Sequence, residues 1–266
     1  MARPASAVRW LYGLAARTPQ VLRSGSLVAA DHAWRRGGAR FRTPRGRTVV
    51  LPGGHCAGAR EMYCRDVYLR TGLRIPDGGW VLDLGANAGL FTVLAAVDGA
   101  RVLAVEAQQG FPPETARLLA LNGVPPGAVH VEVALAGSGI AGVPLVGVVA
   151  DAARWRLASH AAPDRPASVS VPELLSRYGI GRVGLLKMDI EGSEFSVLHA
   201  DSAPAWLPRV DQIAMEVHPE FGSVAGIVEL LRRHGFAVTL TDNDGRPVPA
   251  ASRQAAYLYA RVPAAG

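Results

Sequence analysis

Two stretches of this 266-residue chain set carboxylates among glycines in a way that could hold a charged ligand. The first is Val81-Leu-Asp83-Leu-Gly85-Ala86-Asn87-Ala-Gly89-Leu-Phe-Thr92, an apolar run that enters a glycine turn and then a helical pattern. Gly85 and Gly89 let a ligand approach the backbone, and the opening amides of the helix favour polar groups. A dinucleotide site would read G-x-G-x-x-G. Here the spacing is D-x-G-x-N-x-G, with a carboxylate where that fingerprint has its first glycine. Asp83 would repel a pyrophosphate but welcome the ammonium and sulfonium of S-adenosyl-L-methionine. Glu106, about 20 residues beyond the loop, can take both ribose hydroxyls in bidentate fashion. Asp83, Gly85, Ala86, Asn87, Gly89 and Glu106 therefore form the expected cofactor-binding set, with Asp189 added from the second stretch.

That second stretch is Lys187-Met-Asp189-Ile-Glu191-Gly-Ser-Glu194, at the end of another apolar run. Strand alternation puts Lys187 and Asp189 on one side. Asp189 would face the methionine part or the reactive methyl, and Glu191 would open the loop where an acceptor sits. Glu194 suits a helix N-terminus, where acids are favourable. His218 ends the next apolar run, and an imidazole there could take a hydroxyl proton near neutral pH. The catalytic assignment is therefore His218, Glu191, Asp189 and Lys187, with His218 or Glu191 as base and Lys187 pairing with an acid. Solvated strand-end acids and a histidine kept for packing are the competing structural readings. Asp189, Glu191 and Glu216 could offer oxygens to magnesium, but no tight ligand motif exists and no metal is expected. The other histidines show no partner pattern.

The elements that position these residues follow from hydrophobic pattern. Strands are expected at Thr48–Leu51, Trp80–Leu84, Arg101–Glu106, Ala128–Leu135, Val183–Asp189, Gln212–Val217, Phe236–Leu240 and Ala255–Arg261, with helices over 88–97, 113–122, 172–179, 193–200 and 223–235. Such alternation implies an α/β fold, a mostly parallel sheet with helices on both faces. The Asp242-Asn243-Asp244-Gly245 turn suits an antiparallel C-terminal edge hairpin. Ligands of such sheets sit outside the carboxyl ends of the strands, where both motifs fall.

Taken together, Val81 to Thr92, Val105-Glu106, Leu185-Leu-Lys-Met-Asp-Ile-Glu-Gly-Ser-Glu-Phe195 and Glu216-Val-His-Pro219 resemble the FkbM-type methyltransferases. The likeness covers roughly residues 62–240, and the second motif is the specific one. It implies a Rossmann-like class I methyltransferase sheet and S-adenosyl-L-methionine as cofactor. It also implies methyl transfer, mostly to hydroxyls of small molecules, sugars or natural products, without naming one acceptor. The domain would span 48–266, behind a basic helical extension over 1–47. The segment 138–171, inserted between core strands, could cover a small-molecule acceptor.

Charge and composition bound the alternatives. Residues 1–47 carry ten arginines against one acid, Asp31, whereas the rest of the chain carries 18 basic and 21 acidic residues. The net +6 thus belongs to the N-terminal segment, which argues against a uniformly basic nucleic-acid-binding domain. RNA methylation through that segment is the alternative function, and a non-catalytic nucleoside-binding protein is another. Cys56 and Cys64 form neither a CxxC pair nor a disulfide framework and read as reduced thiols. No signal peptide is expected, since Arg17 and Arg23 interrupt the N-terminal apolar residues, and no membrane span, since five residues of Gly and Pro punctuate the uncharged run 133–150. The expectation is a cytoplasmic enzyme whose oligomeric state is left open.

Overall fold

The computed structural model describes residues 39–53, 56–137, 147–151, 154–158 and 167–263. In chain order it begins with an antiparallel hairpin of β1 (Ala39–Arg42) and β2 (Thr48–Leu51), then a short helix α1 (Cys56–Ala59). The regular alternation follows: β3 (Trp80–Leu84), α2 (Leu90–Val97), β4 (Arg101–Glu106), α3 (Pro112–Leu121) and β5 (Val129–Val133). Next come β6 (Leu135–Ala136), β7 (Gly147–Asp151), β8 (Arg154–Ala158), β9 (Ser168–Val169) and α4 (Val171–Arg177). The chain closes with β10 (Val183–Met188), α5 (Glu194–Val197), β11 (Gln212–Glu216), α6 (Val224–Arg233), β12 (Ala237–Thr241) and β13 (Tyr257–Arg261).

The central sheet has seven strands in the order β12-β13-β11-β10-β3-β4-β5, and only β13 runs against the others. This is the mostly parallel, doubly wound sheet that the pattern implied. Strand order reverses between β3 and β10, so the loops after these two strands diverge and leave a crevice above them. Both glycine- and acid-rich motifs fall on this crevice.

Each sheet face has its own core. On one face Leu82, Leu84, Leu186 and Met188 pack against Leu174 and Leu175 of α4, Trp206, and Leu231 of α6. On the other face Val81, Val102, Ala104 and Leu185 pack against Phe91 and Leu94 of α2 and Leu118 of α3. Burying each such side chain contributes about 1.5–3 kcal/mol. Local signals agree with the packing. Ser170 caps α4 in a reciprocal box with Glu173, next to Pro172 in the first turn. The Ser223 hydroxyl caps α6 at the Gly226 amide, and Arg232 and Arg233 end that helix.

Two expectations need correction. Residues 39–42 are not helical: they pair with β2, and Phe41, Val49 and Leu51 join the core beneath α2. The rest of the basic extension, residues 1–38, lies outside the described residues. The C-terminal hairpin closes one edge of the sheet antiparallel, as expected, with β13 next to β11 and β12 at the rim. Four consecutive buried residues, Tyr257 to Ala260, explain why, since an interior strand is covered on both faces. The helix expected over 193–200 shortens to one turn, Glu194–Val197. In the insert, β7 and β8 form an antiparallel hairpin and β9 pairs with β6, while the remaining residues between 138 and 166 lie outside the described set. Among the described residues no helix is long and apolar enough to cross a membrane.

Candidate active site

The crevice holds a cleft of about 690 Å³, open mouth included, lined by Gly85, Asn87, Glu106, Gln108, Asp189, Glu191 and neighbouring residues of the β5–β6 turn. Its floor is the loop after β3. Gly85 there has φ +76°, and a Cβ on it would lie 1.8 Å from the Asp189 carbonyl oxygen. Glycine is needed for both reasons. Gly89, at φ +81°, begins α2 beneath Thr115, whose side chain a Cβ would meet at 2.5 Å. Gly89 and the buried Ala86 therefore shape the turn from outside the cleft, and Asn87, at φ +50°, carries the wall.

Glu106 ends β4 at the side of this wall. Its two carboxylate oxygens accept the backbone amides of Asn87 (2.7 Å) and Gln108 (2.8 Å). A carboxylate has about four acceptor sites, so capacity for two ribose hydroxyls is left. Burial raises the Glu106 pKa, opposed by those two amides and by Lys187.

Asp83 behaves differently from the expectation. Register pairs it with Lys187 on the adjacent strand. Its Oδ1 lies 3.1 Å from Lys187 Nζ, and its Oδ2 accepts the Thr92 hydroxyl at 2.6 Å. Both charged side chains are sealed, at 0% and 1% exposure, and Asp83 does not line the cleft. It therefore does not meet the cofactor's cationic groups, because a lysine already neutralises it. Lys187 also donates to the Gly85 carbonyl at 2.7 Å. Burial pushes the Lys187 pKa down, yet Asp83 and then Asp189 outweigh it, and the net shift is upward. The lysine thus ties the floor of the loop to β10 and reaches no reacting atom, which replaces its catalytic assignment with a positioning one.

Asp189, Glu191 and His218 are brought together as expected. Asp189 and Glu191 line the cleft, and Asp189 Oδ2 accepts the hydroxyl of Tyr68 at 2.9 Å. His218 follows β11; its Nε2 lies 3.5 Å from Glu191 Oε2 and its Nδ1 3.0 Å from Glu194 Oε1. Glu194 is fully buried and also accepts the Ile190 amide. So Glu194 opens α5 as the helix reading implied, and in addition it orients the imidazole. Burial lowers the His218 pKa, but the hydrogen bond and charge of Glu194, then Asp189 and Glu216, carry it up to about 9. Glu216 is pushed up to about 8, first by burial and then by Asp189.

Two contributors went unread in the sequence. Tyr68 comes from the segment before β3, 121 positions from the aspartate it holds, and no spacing signals it. Glu194 gave a signal only as the last acid of the E-G-S-E run.

Comparison with known proteins agrees with the geometry. Residues 83–238 match the methyltransferase FkbM domain. The chain is 30% identical over 238 residues to 31-O-demethyl-FK506 methyltransferase FkbM of Streptomyces tacrolimicus, covering 74% of this chain and 88% of that one. It is also 30% identical over 250 residues to the AMB antimetabolite synthetase AmbE of Pseudomonas aeruginosa, covering 72% of this chain but only 12% of that much longer one. Among solved structures, a SAM-dependent methyltransferase from Agrobacterium tumefaciens superposes with a TM-score of 0.47 at 13% identity, over 85% of this chain and 70% of that one. With its specific motif, its sheet and its cleft in place, the chain belongs to the FkbM methyltransferase domain family, enzymes that take their methyl group from S-adenosylmethionine.

Proposed function

We propose that this protein methylates a hydroxyl group of a small molecule, a sugar or a natural product. S-adenosylmethionine supplies an activated methyl on a sulfonium, so the protein's task is to align the acceptor and dispose of its proton. Alignment alone can lower a barrier by as much as ~7–11 kcal/mol. In this reading Glu106 holds the ribose, the backbone of Gly85 and Asn87 admits the nucleoside closely, and Asp189 lies beside the methionine end.

The observation that carries the proposal is the Glu194–His218–Glu191 row, with Glu191 on the cleft wall and a fully buried carboxylate behind the imidazole. A buried acid that fixes one ring nitrogen leaves the other to take a proton, and here that nitrogen faces Glu191 on the cleft wall. His218 in its unprotonated form is the base, and Glu191 orients the hydroxyl toward it. Asp83, Thr92 and Lys187 hold the loop and stay out of the chemistry.

The test is incubation with methyl-labelled S-adenosylmethionine and a panel of hydroxylated metabolites, with amines and RNA alongside. The expected product is a labelled methyl ether whose formation falls at least 100-fold in His218→Ala. Label on nitrogen or RNA would replace the proposal with another methyl acceptor. Failure to bind S-adenosylmethionine in calorimetry would remove it altogether.

A further inference from the structure

We infer that Phe221 is a stacking shelf that selects acceptors presenting a ring face beside the hydroxyl to be methylated. Phe221 lies in the loop after β11, three residues past His218, and its amide donates to the His218 carbonyl at 3.0 Å. The two rings stand 6.4 Å apart at 57°. The phenyl ring also packs on Gly192, where a Cβ would come within 2.5 Å of it. Gly192 sits between Glu191 and Ser193, both of which line the cleft.

A second contact of the same kind fixes the loop in place. Gly222 packs on the ring of Phe195 in α5, so closely that a Cβ there would approach to 2.4 Å. The segment after β10 and the loop after β11 thus each offer a glycine to a phenylalanine of the other. Phe221 is packed on one side in this clasp, yet the residue stays 42% exposed. The other large hydrophobics with comparable exposure among the described residues are Leu121, Val133 and Val262, none of them on these loops. A held, half-exposed aromatic face next to the base is a low-entropy platform for an apolar or sugar ring face. Asp189 and Glu191 on the cleft wall disfavour anions, so the acceptor class is a neutral cyclic alcohol, a carbocycle or a sugar.

The inference rests on the hydroxyl-methylation reading for its meaning, whereas its test reads binding alone. Cyclohexanol and methyl glucoside serve as ring probes and hexan-1-ol as the open-chain control, each titrated by saturation-transfer NMR against the full chain with S-adenosylhomocysteine present. Wild type and Phe221→Tyr should bind both ring probes alike. Phe221→Ala should bind them about 3- to 10-fold more weakly, the range an aromatic contact contributes, and leave hexan-1-ol unchanged. Phe221→Leu keeps apolar volume without a flat face and should resemble Phe221→Ala. Equal affinities across the variants, or no ring preference in wild type, would overturn the shelf. Calorimetry of S-adenosylhomocysteine in the same samples reports on the methyltransferase site separately.

Discussion

Lys187 Nζ lies 3.1 Å from Asp83 Oδ1 inside the sheet, and the pair is closed to solvent on both sides. Removing one partner leaves an uncompensated buried charge, which costs about 3–5 kcal/mol. Lys187→Ala should therefore lower stability by that amount in urea unfolding. Lys187→Arg should not rescue it, since a planar guanidinium has no room where the ammonium also reaches the Gly85 carbonyl at 2.7 Å. The double variant Asp83→Leu/Lys187→Met removes both charges and should regain most of the stability, while cofactor affinity stays low because the Gly85 tie is gone. If the double variant is no more stable than Lys187→Ala, the pair is not the reason for the loss.

This pair also marks the boundary of what was legible in the sequence. Apolar runs and turn residues placed the main strands, because burial on both faces and backbone capping leave a local trace. Gly85 and Gly89 were legible for the same reason, since each holds a positive φ where a Cβ would collide. Asp83 was misread since its partner comes from a strand a hundred residues later, and register between strands leaves no trace in spacing. The place of β13 inside the sheet was equally a matter of pairing, although four buried residues in a row at Tyr257–Ala260 hinted at it.

Glu106→Gln tests the cofactor wall. The amide keeps the shape but loses the charge that the Asn87 and Gln108 amides and the ribose hydroxyls share. Hydrogen bonds to a charged group contribute about 1.5–3 kcal/mol, so S-adenosylmethionine affinity should fall roughly 10- to 100-fold in calorimetry. The thermal midpoint of the ligand-free protein should fall as well, because glutamine offers one acceptor oxygen where two backbone amides donate. An unaltered affinity would place the ribose elsewhere.

The acid-base groups set a pH profile. His218 titrates at about 9 in the folded chain, above its ordinary 6.5. Its contribution to stability is thus fully present below 6.5 and lost as pH rises through about 9. Turnover should move the opposite way, rising about tenfold per pH unit from 7 toward 9 as the free base appears. Glu194→Gln removes the buried carboxylate on Nδ1, so the shoulder should shift toward acid and the imidazole resonance with it. Glu216, at about 8 against 4.5, favours its neutral form. Its stabilising contribution is complete below 4.5 and declines toward 8, so Glu216→Gln should stabilise the protein at pH 9 and be silent at pH 4. A flat profile for Glu194→Gln would separate His218 from the base.

Metal removal distinguishes that assignment from a Lewis-acid one. Asp189, Glu191 and His218 each bring a candidate ligand atom within 4.8 Å of the others, a group in which histidine replaces the Glu216 suggested by strand ends alone. Those groups already have partners, His218 with Glu191 and Glu194, and Asp189 with the Tyr68 hydroxyl. The imidazole is held between Glu194 and Glu191 and keeps its proton to about pH 9, so a cation would have to expel that proton before Nε2 could bind it. Turnover at neutral pH should accordingly be the same before and after dialysis against EDTA. Added manganese should inhibit, and more strongly as pH rises and the imidazole is freed. Loss of activity in EDTA, restored by manganese or magnesium, would instead make these three residues ligands and move the proton acceptor elsewhere.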